Sequence, residues 1–162
     1  MILPTAQISA PGLAEEQILV ERAWLEGFSQ AAESLDWTKW EEWWTNDVSH
    51  SDGFLQFGNL PRVQGKDAIA SFHAQMFAPF ESLQHNFTRY SFDLPLGLIY
   101  QTSTVIFRVK DDPEERDIQV PGMAVIHKKI GEKHATGCEM YLDSSPVMSV
   151  VQEVLKRKIV RS

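Results

Sequence analysis

The stretch 83–90, which reads LQHNFTRY, contains the side chain best suited to acid–base chemistry in this sequence, His85. Histidine has an unperturbed pKa near neutral pH, so an imidazole that is half-buried beside a cavity can transfer protons. In a strand, His85 and Phe87 share one face, which predicts an imidazole next to an aromatic ring. A buried histidine with satisfied hydrogen bonds and no chemical role is the alternative that this stretch leaves open.

A carboxylate beside the imidazole would hold the tautomer of the ring and raise its basicity. Asp52 is the residue that we predict for this role, and His50, two residues earlier on the same strand face, is an auxiliary candidate. The alternative for Asp52 is a turn residue ahead of Gly53. The predicted catalytic residues are therefore His85, Asp52 and His50, with general acid–base transfer as their chemistry.

The sequence lacks the motifs of more easily recognised enzyme classes. It has no glycine-rich phosphate loop, no Gly-x-Ser-x-Gly and no His-Glu-x-x-His. The histidines at 50, 73 and 85 fall in separate predicted elements without ligand spacing, so we predict no metal site and no cofactor. We also predict no nucleophilic role for Cys138, the single cysteine.

The composition is that of one globular domain. The chain has 162 residues, 43% hydrophobic and 23% charged, with a net charge of −7. This negative charge argues against a surface for nucleic acid or for an anionic membrane. The sequence shows no bilayer-spanning apolar run and no signal-peptide pattern, so we expect a cytoplasmic protein. We expect a flexible arm at 1–12 and a single domain over 13–162.

Two helices are predicted near the N-terminus. Apolar residues recur at helical spacing over 13–33, which indicates a long first helix. Asp36 or Thr38 is expected to cap a second, short helix. Four tryptophans in the eight residues 37–44 most often mean a hydrophobic core, and one or two of them facing a cavity is the alternative.

A third helix is predicted from position 66 to a break near Pro79. Its inward face would carry Phe72, His73 and Met76, so the imidazole of His73 would point toward the core or a pocket. Short strands are predicted before this helix, at 48–52 and 54–57.

The second half of the chain has the pattern of strands and ends in a helix. Long strands are predicted at 83–92, 99–110, 118–130 and 134–143. The terminal helix would pack an apolar stripe formed by Met148, Val151, Leu155 and Ile159. Helices followed by long antiparallel strands predict an α+β fold. One curved sheet would wrap the three N-terminal helices and enclose a conical cavity, with the terminal helix over or beside it.

This order of elements resembles the SnoaL-like superfamily, the cone-shaped α+β barrel shared with nuclear transport factor two and ketosteroid isomerase. The motifs that carry the resemblance are Leu35-Asp36-Trp37-Thr38-Lys39-Trp40 before Asn46-Asp47-Val48, then Gly65-Lys66-Asp67-Ala68-Ile69, and finally Tyr141-Leu142-Asp143. The segment Gln84-His85-Asn86-Phe87 further resembles the catalytic-histidine strand of the scytalone dehydratase branch, and Asp36-Trp37 resembles that branch too.

The resemblance implies roles for individual residues. His85 falls at the catalytic histidine of the branch, Asp52 roughly at a pocket tyrosine, and Glu33 roughly at a catalytic-site aspartate. Ala32 stands where the branch has a second pocket tyrosine.

The sequence also departs from the branch. Its second histidine has no counterpart in Tyr100-Gln101-Thr102-Ser103, and Met123 stands where it has an asparagine, so we do not predict scytalone dehydration itself. The same correspondence turns Cys138, Met140 and Leu142 inward. It therefore implies an apolar pocket and a hydrophobic substrate such as a terpenoid or a polyketide.

We predict a cofactor-independent lyase or isomerase, of dehydratase or cyclase type, that acts on a small hydrophobic metabolite and forms a homo-oligomer, a dimer or a trimer. The alternative is a non-catalytic binding or dimerisation module of the same fold. A closed cavity that holds a ligand would favour the enzyme, and a cavity filled by the protein's own tryptophans would favour the module. Besides His85, the predicted pocket residues are Trp24, Phe28, Trp40, Phe72, His73, Met76, Met123, Cys138, Met140 and Leu142.

Overall fold

The computed structural model describes residues 5–46 and 53–161, in which four helices accompany one seven-stranded sheet. The helices are α1 (Glu15–Glu33), α2 (Trp37–Glu41), α3 (Lys66–Phe77) and α4 (Ser145–Arg161). The strands are β1 (Gln7–Ser9), β2 (Phe54–Phe57), β3 (Val63–Gln64), β4 (Phe80–Asp93), β5 (Leu98–Val109), β6 (Ile118–His127) and β7 (Gly137–Leu142).

The sheet is mixed and has the strand order β1-β4-β5-β6-β7-β2-β3. Strands β4 to β7 form an antiparallel meander, whereas β1 joins β4 and β2 joins β7 in parallel. Register shifts between Phe80 and Ser82 and between Phe87 and Arg89 interrupt β4, and such bulges bend a strand. The predicted α+β class with a curved, largely antiparallel sheet is confirmed.

The inward face of the sheet buries two groups of side chains. One group lies under α1 and α2 and includes Leu25, Phe28, Trp40, Trp44, Leu55, Ile99 and Ile126. The other lies under α4 and includes Phe80, Leu83, Val105, Phe107, Val120 and Val151. The terminal helix therefore covers one part of the inward face, while the first two helices fill the other.

The face of α4 that packs on the sheet differs from the predicted one. The buried stripe consists of Val147, Val150, Val151 and Val154, whereas Met148, Leu155 and Ile159 of the predicted stripe are exposed. Two apolar stripes run along this helix, and the valine stripe is the one that packs on the sheet. Ion pairs at the surface also join the helix to the β5–β6 hairpin. Arg116 contacts Glu153 at 3.0 Å, and Lys158 contacts Asp111 at 2.5 Å.

The structure also corrects the prediction of a flexible N-terminal arm. Residues 7–9 form β1, in which Ile8 pairs with Tyr90 and packs against the core, so this part of the arm is held in the sheet. The short strand β3 was not among the predicted strands, and in it Val63 pairs with Leu55 of β2. The predicted short strand at 48–52 lies outside the described residues.

The other boundaries follow the predictions closely. Asp36 is the N-cap of α2, and its carboxylate accepts a hydrogen bond from the Thr38 amide at 3.0 Å. Strands β6 and β7 are shorter than predicted because residues 128–136 form the connection between them. Within the described ranges, no helix is long and apolar enough to cross a bilayer.

Candidate functional site

The imidazole of His85 is held by a carboxylate from the end of α1. Glu33, the last residue of that helix, places its Oε1 3.0 Å from His85 Nδ1 and accepts the His85 backbone N–H at 2.7 Å. Among the described residues, β1 pairs only with residues 89–91 of β4, so His85 lies on a part of β4 that has no described strand on this side. Glu33 thus satisfies an edge amide and positions the ring with the same oxygen.

This contact determines which ring nitrogen is free to react. A carboxylate beside Nδ1 favours the tautomer with the proton on Nδ1, which leaves Nε2 as a hydrogen-bond acceptor. The side chains of His85 and Glu33 keep 18% and 23% of their surface exposed, so a ligand can reach the pair. The ring also stacks on Phe87, with centroids 5.3 Å apart and planes 4° from parallel.

The carboxylate found beside His85 is Glu33, whereas the residue-based prediction chose Asp52. Asp52 and His50 lie outside the described residues, so their predicted roles remain predictions. Glu33 and His85 are 52 positions apart, and neither spacing nor periodicity connects them. The only signal for Glu33 in the sequence was the resemblance that placed it near a catalytic aspartate.

His85 opens into a groove of about 460 Å³ between α1 and the edge of β4. The groove is lined by Thr5, Ala6, Arg22, Glu26, His85, Asn86, Phe87, Thr88, Tyr90 and Thr104. Arg22 and Glu26 form an ion pair at 3.2 Å on its helix side. Burial raises the pKa of Tyr90 to about 12, so this phenol stays protonated at neutral pH.

A separate apolar cleft of about 350 Å³ lies between α3, the inward face of the sheet and the start of α4. It is lined by Phe57, Leu60, Phe72, Gln75, Met76, Phe80, Phe107, Leu142, Ser144, Val147 and Met148. The predicted pocket residues Phe72, Met76 and Leu142 meet here, but His85 does not line this cleft. His85 and these three residues were predicted to line one pocket, but they line two separate ones.

The remaining predicted pocket residues are distributed over the core and both faces. Phe28, Trp40 and Cys138 are buried in the core under α1 and α2, where the rings of Phe28 and Trp40 lie 5.5 Å apart. Trp24 stacks on Phe28 at 5.0 Å and donates its indole N–H to the Lys133 carbonyl. These aromatic rings occupy the space that the sequence assigned to a cavity.

Strand register decides which sheet residues face inward. His85 pairs with Val105, and Met140 pairs with Ala124, which in turn pairs with Gln101. Since Gln101 and Val105 have the same parity on β5, His85 and Met140 share the inward face. Met123, the neighbour of Ala124, points the other way and is 37% exposed, so its predicted place in the pocket is wrong.

His73 lies inside the cone, as the helical pattern indicated. Its ring is 5.7 Å from the rings of both Trp37 and Trp40 and 4.6 Å from that of Phe77. Burial lowers the pKa of His73, and the charge of Asp36 opposes this effect. Burial therefore favours the neutral form of the His73 ring.

Several buried polar atoms face the interior without a partner. In the described part of the chain these atoms are Ser29 Oγ, Trp40 Nε1, Trp44 Nε1, His73 Nε2 and Gln101 Oε1. Sequence reasoning did not select Ser29, Trp44 or Gln101. The available signal was Gln101 at an inward position of β5, between Ile99 and Val105.

The described residues also bear on two other kinds of chemistry, nucleophilic catalysis by a cysteine and metal binding. Burial raises the pKa of Cys138 to about 12, so its thiol is protonated and a poor nucleophile. Among the residues that the structure describes, no three histidine, cysteine, aspartate or glutamate side chains lie together as a metal site would need. The prediction of a protein without metal or cofactor stays a prediction.

No family model and no curated protein matches this sequence. Solved structures do match its fold. A candidate SnoaL-like polyketide cyclase from Shewanella denitrificans OS-217 aligns with a TM-score of 0.64 and 14% identity over 83% of this chain and 98% of that one. A hypothetical protein with a ketosteroid isomerase-like fold from Catenulispora acidiphila DSM 44928, in complex with trimethylamine, aligns with a TM-score of 0.63 and 13% identity over 80% of this chain and 92% of that one. An LEH-like epoxide hydrolase from M. tuberculosis aligns with a TM-score of 0.57 and 14% identity over 86% of this chain and 95% of that one.

The chain therefore has the cone-shaped fold of SnoaL-like and ketosteroid isomerase-like proteins. This confirms the fold that the resemblance implied. Structural matches at 13–14% sequence identity show the fold but not the reaction. The link to the scytalone dehydratase branch therefore remains a prediction.

Proposed function

We propose that this protein is a cofactor-independent lyase or isomerase, of dehydratase or cyclase type, whose base is His85. The observation that carries the proposal is the double hydrogen bond from His85 to Glu33 at an accessible position on the inward face. A carboxylate on Nδ1 both orients the ring and stabilises the imidazolium that forms when Nε2 accepts a proton. Positioned proton transfer of this kind contributes roughly 10²–10⁴-fold in rate.

The reaction class follows from what one histidine–carboxylate pair can do. His85 Nε2 would remove a proton from the carbon next to a carbonyl, and the electron pair would move onto the carbonyl oxygen as an enolate. Return of the proton to another carbon gives an isomer. Loss of a β-hydroxyl, protonated to leave as water, gives an unsaturated product. Neither route consumes an oxidant or a reductant.

The substrate class follows from the surroundings of the pair. Phe87 and Tyr90 form an aromatic wall of the groove that contains His85, and the second cleft is lined almost entirely by apolar side chains. Such surfaces suit a small hydrophobic metabolite such as a polyketide or a terpenoid. The fold neighbours, which include candidate polyketide cyclases and an epoxide hydrolase, support the same proposal.

Exchange of hydrogen for deuterium tests the proposal without knowledge of the natural substrate. A panel of hydrophobic enones and β-hydroxy ketones is incubated with the protein in D₂O, and the loss of the α-proton signal is followed by NMR. We expect His85→Ala to lower the exchange rate on the order of 10²–10⁴-fold. His134→Ala, which removes an exposed histidine on the β6–β7 connection, should keep the full rate.

The alternative function is a non-catalytic binding module, and one observation favours it. Trp40 and Trp44 are buried with their rings 5.3 Å apart, and Phe28 packs on both, so aromatic side chains fill much of the cone. In that case members of the panel would bind but not exchange. His85→Ala would then leave binding unchanged.

We also propose that the protein works as a homo-oligomer, a dimer or a trimer, in the cytoplasm. The outward face of the sheet presents partly exposed Met123 and Tyr141, which offer apolar surface to a second copy. Sedimentation velocity over a concentration series measures the assembly directly. A single monomeric species at all concentrations would contradict this part of the proposal.

A further inference from the structure

The groove that contains His85 also contains a cation. Among the described residues that line it, Arg22 of α1 is the one with a permanent positive charge. Its Nε donates to Glu26 Oε1 at 3.2 Å, and this is the one hydrogen bond that the described residues make with its guanidinium. A guanidinium has five N–H donors, so the two terminal nitrogens can bind a further anion. Arg22 therefore offers a carboxylate-binding point inside the groove.

The spacing between Arg22 and His85 is set by α1. Glu26, which holds Arg22, and Glu33, which holds His85, are seven residues apart on this helix. Seven residues make two turns, so both carboxylates belong to one face of the helix and lie about 10 Å apart along its axis. The guanidinium and the imidazole are therefore held at a comparable spacing, at two points of one groove of about 460 Å³.

Aromatic rings form the groove wall between these two points. The ring of Phe87 stacks on His85 at 5.3 Å and lies 5.5 Å from the ring of Tyr90. Burial, with a smaller contribution from Glu26, raises the pKa of Tyr90 to about 12, and Arg22 opposes this rise. The two charged helix residues therefore act on the Tyr90 end of the wall. A flat ring system suits such an aromatic wall.

We infer that the groove binds an organic acid with a flat apolar body, whose carboxylate pairs with Arg22 while the opposite end of the molecule reaches His85. The inference rests on the proposed function in taking this acid to be the substrate, with a ketone at the end that reaches the imidazole. Binding of the carboxylate requires neither the imidazole nor turnover, so the two proposals can fail separately.

The test uses 4-acetylbenzoate and 6-acetyl-2-naphthoate, each compared with its methyl ester. Each acid has a carboxylate at one end and a ketone with exchangeable α-protons at the other, and the second acid is longer by one ring. The esters keep the ring and the ketone but carry no charge. Calorimetric titration measures the affinities. A hydrogen-bonded ion pair with a partly exposed arginine corresponds to roughly tenfold in affinity, so at least one acid should bind roughly tenfold more tightly than its ester.

Substitution assigns this preference to one side chain. Arg22→Gln removes the charge at a partly exposed position, so the variant should fold and should bind acid and ester alike. Arg22→Lys keeps the charge but not the planar fork, and it should retain part of the preference. Arg157→Gln is the matched control, because Arg157 forms the same kind of i, i+4 ion pair with Glu153 on α4, also at 3.2 Å, and does not line the groove. This control should keep the full preference.

His85→Ala separates the inference from the proposed reaction. This variant should still prefer the acid, because the Arg22 end of the groove is unchanged, but it should lose deuterium exchange of the α-protons. An acid preference without exchange in the unchanged protein would retain this site and reject the proposed reaction. The inference would be overturned if neither acid binds, if acid and ester bind equally for both ring systems, or if the preference survives in Arg22→Gln.

Discussion

A single carboxylate oxygen of Glu33 accepts both the backbone amide and the ring of His85, so the end of α1 and the edge of β4 are joined at the proposed base. The backbone bond is structural, because it satisfies an amide that no strand of the described residues pairs. The hydrogen bond to the ring Nδ1 bears on catalysis, because it determines that Nε2 is the nitrogen free to accept a proton. The two contributions can be separated by substitution.

Glu33→Gln should separate them. The amide oxygen can still accept the backbone bond, so the fold should be kept, but a neutral side chain cannot stabilise an imidazolium. We expect the deuterium-exchange rate to fall on the order of 10²–10⁴-fold with little change in melting temperature. Glu132→Gln, at an exposed position of the β6–β7 connection, is the control and should keep the rate. Full activity in Glu33→Gln together with an inactive His85→Ala would mean that His85 works without this carboxylate.

The rotation of α4 predicts unequal effects for two apolar residues of that helix. Val151 is buried against the sheet, and Leu155, one turn later, is 52% exposed. Val151→Ala should lower the free energy of unfolding by about 1–3 kcal/mol, because it leaves a cavity in the core. Leu155→Ala should change it by no more than about 0.5 kcal/mol. Urea unfolding of both variants checks this, and the opposite order would mean that the other stripe packs.

The ion pair between Asp112 and Arg116 at the β5–β6 hairpin should be sensitive to acid. Hydrogen bonds from the Arg116 guanidinium hold the pKa of Asp112 well below its usual value. A depressed folded-state pKa contributes stability above the unfolded-state value near 3.8, and this contribution is lost as the pH falls below it. Asp112→Asn should therefore lower the melting temperature at pH 7, and the difference from the unchanged protein should shrink toward pH 2.

The control for this prediction is another hairpin carboxylate. Asp117 pairs with Arg108 at 2.6 Å, but both side chains are about half exposed. Exposed ion pairs contribute little to stability, so Asp117→Asn should have a small effect on the melting temperature. A melting difference for Asp112→Asn that stays constant from pH 7 to pH 2 would show that the lost contact does not depend on ionisation.

Glu21 and Lys128 form a buried ion pair between α1 and the connection after β6. Their side chains are 2% and 1% exposed, and Glu21 also accepts the Gly131 amide at 2.8 Å. Lys128→Met alone should cost about 3–5 kcal/mol, because it leaves an unpaired buried carboxylate. Adding Glu21→Leu should recover part of this loss. Urea unfolding of the single and double variants measures the coupling, and additive losses would show that the two charges do not depend on each other.

The sequence by itself determined the class of the fold and much of the inward face. Helical spacing located α1 and α3, and the strand pattern located β5, predicted at 99–110 and observed at Leu98–Val109. It also placed His85 and His73 toward the interior. These results depend on local periodicity, which the chain shows without reference to distant residues.

Periodicity failed where several faces of an element are apolar. Residues 123–126 of β6 are all apolar, so no alternation indicates that Ala124 faces inward and Met123 outward. The same ambiguity holds for the two stripes of α4. There the choice depends on which stripe packs against Val105 and Phe107 of the sheet, and no local pattern reveals that packing.

Only the tertiary structure decided the partner of His85. Asp52 and Glu33 were both carboxylates from other elements, and residue spacing cannot rank contacts between elements that are distant in the chain. The packing of α1 across β4 brings Glu33 to a part of β4 that, among the described residues, has no neighbouring strand on this side. An unpaired amide there requires an acceptor, and this requirement, which arises from the sheet edge, places the carboxylate on His85.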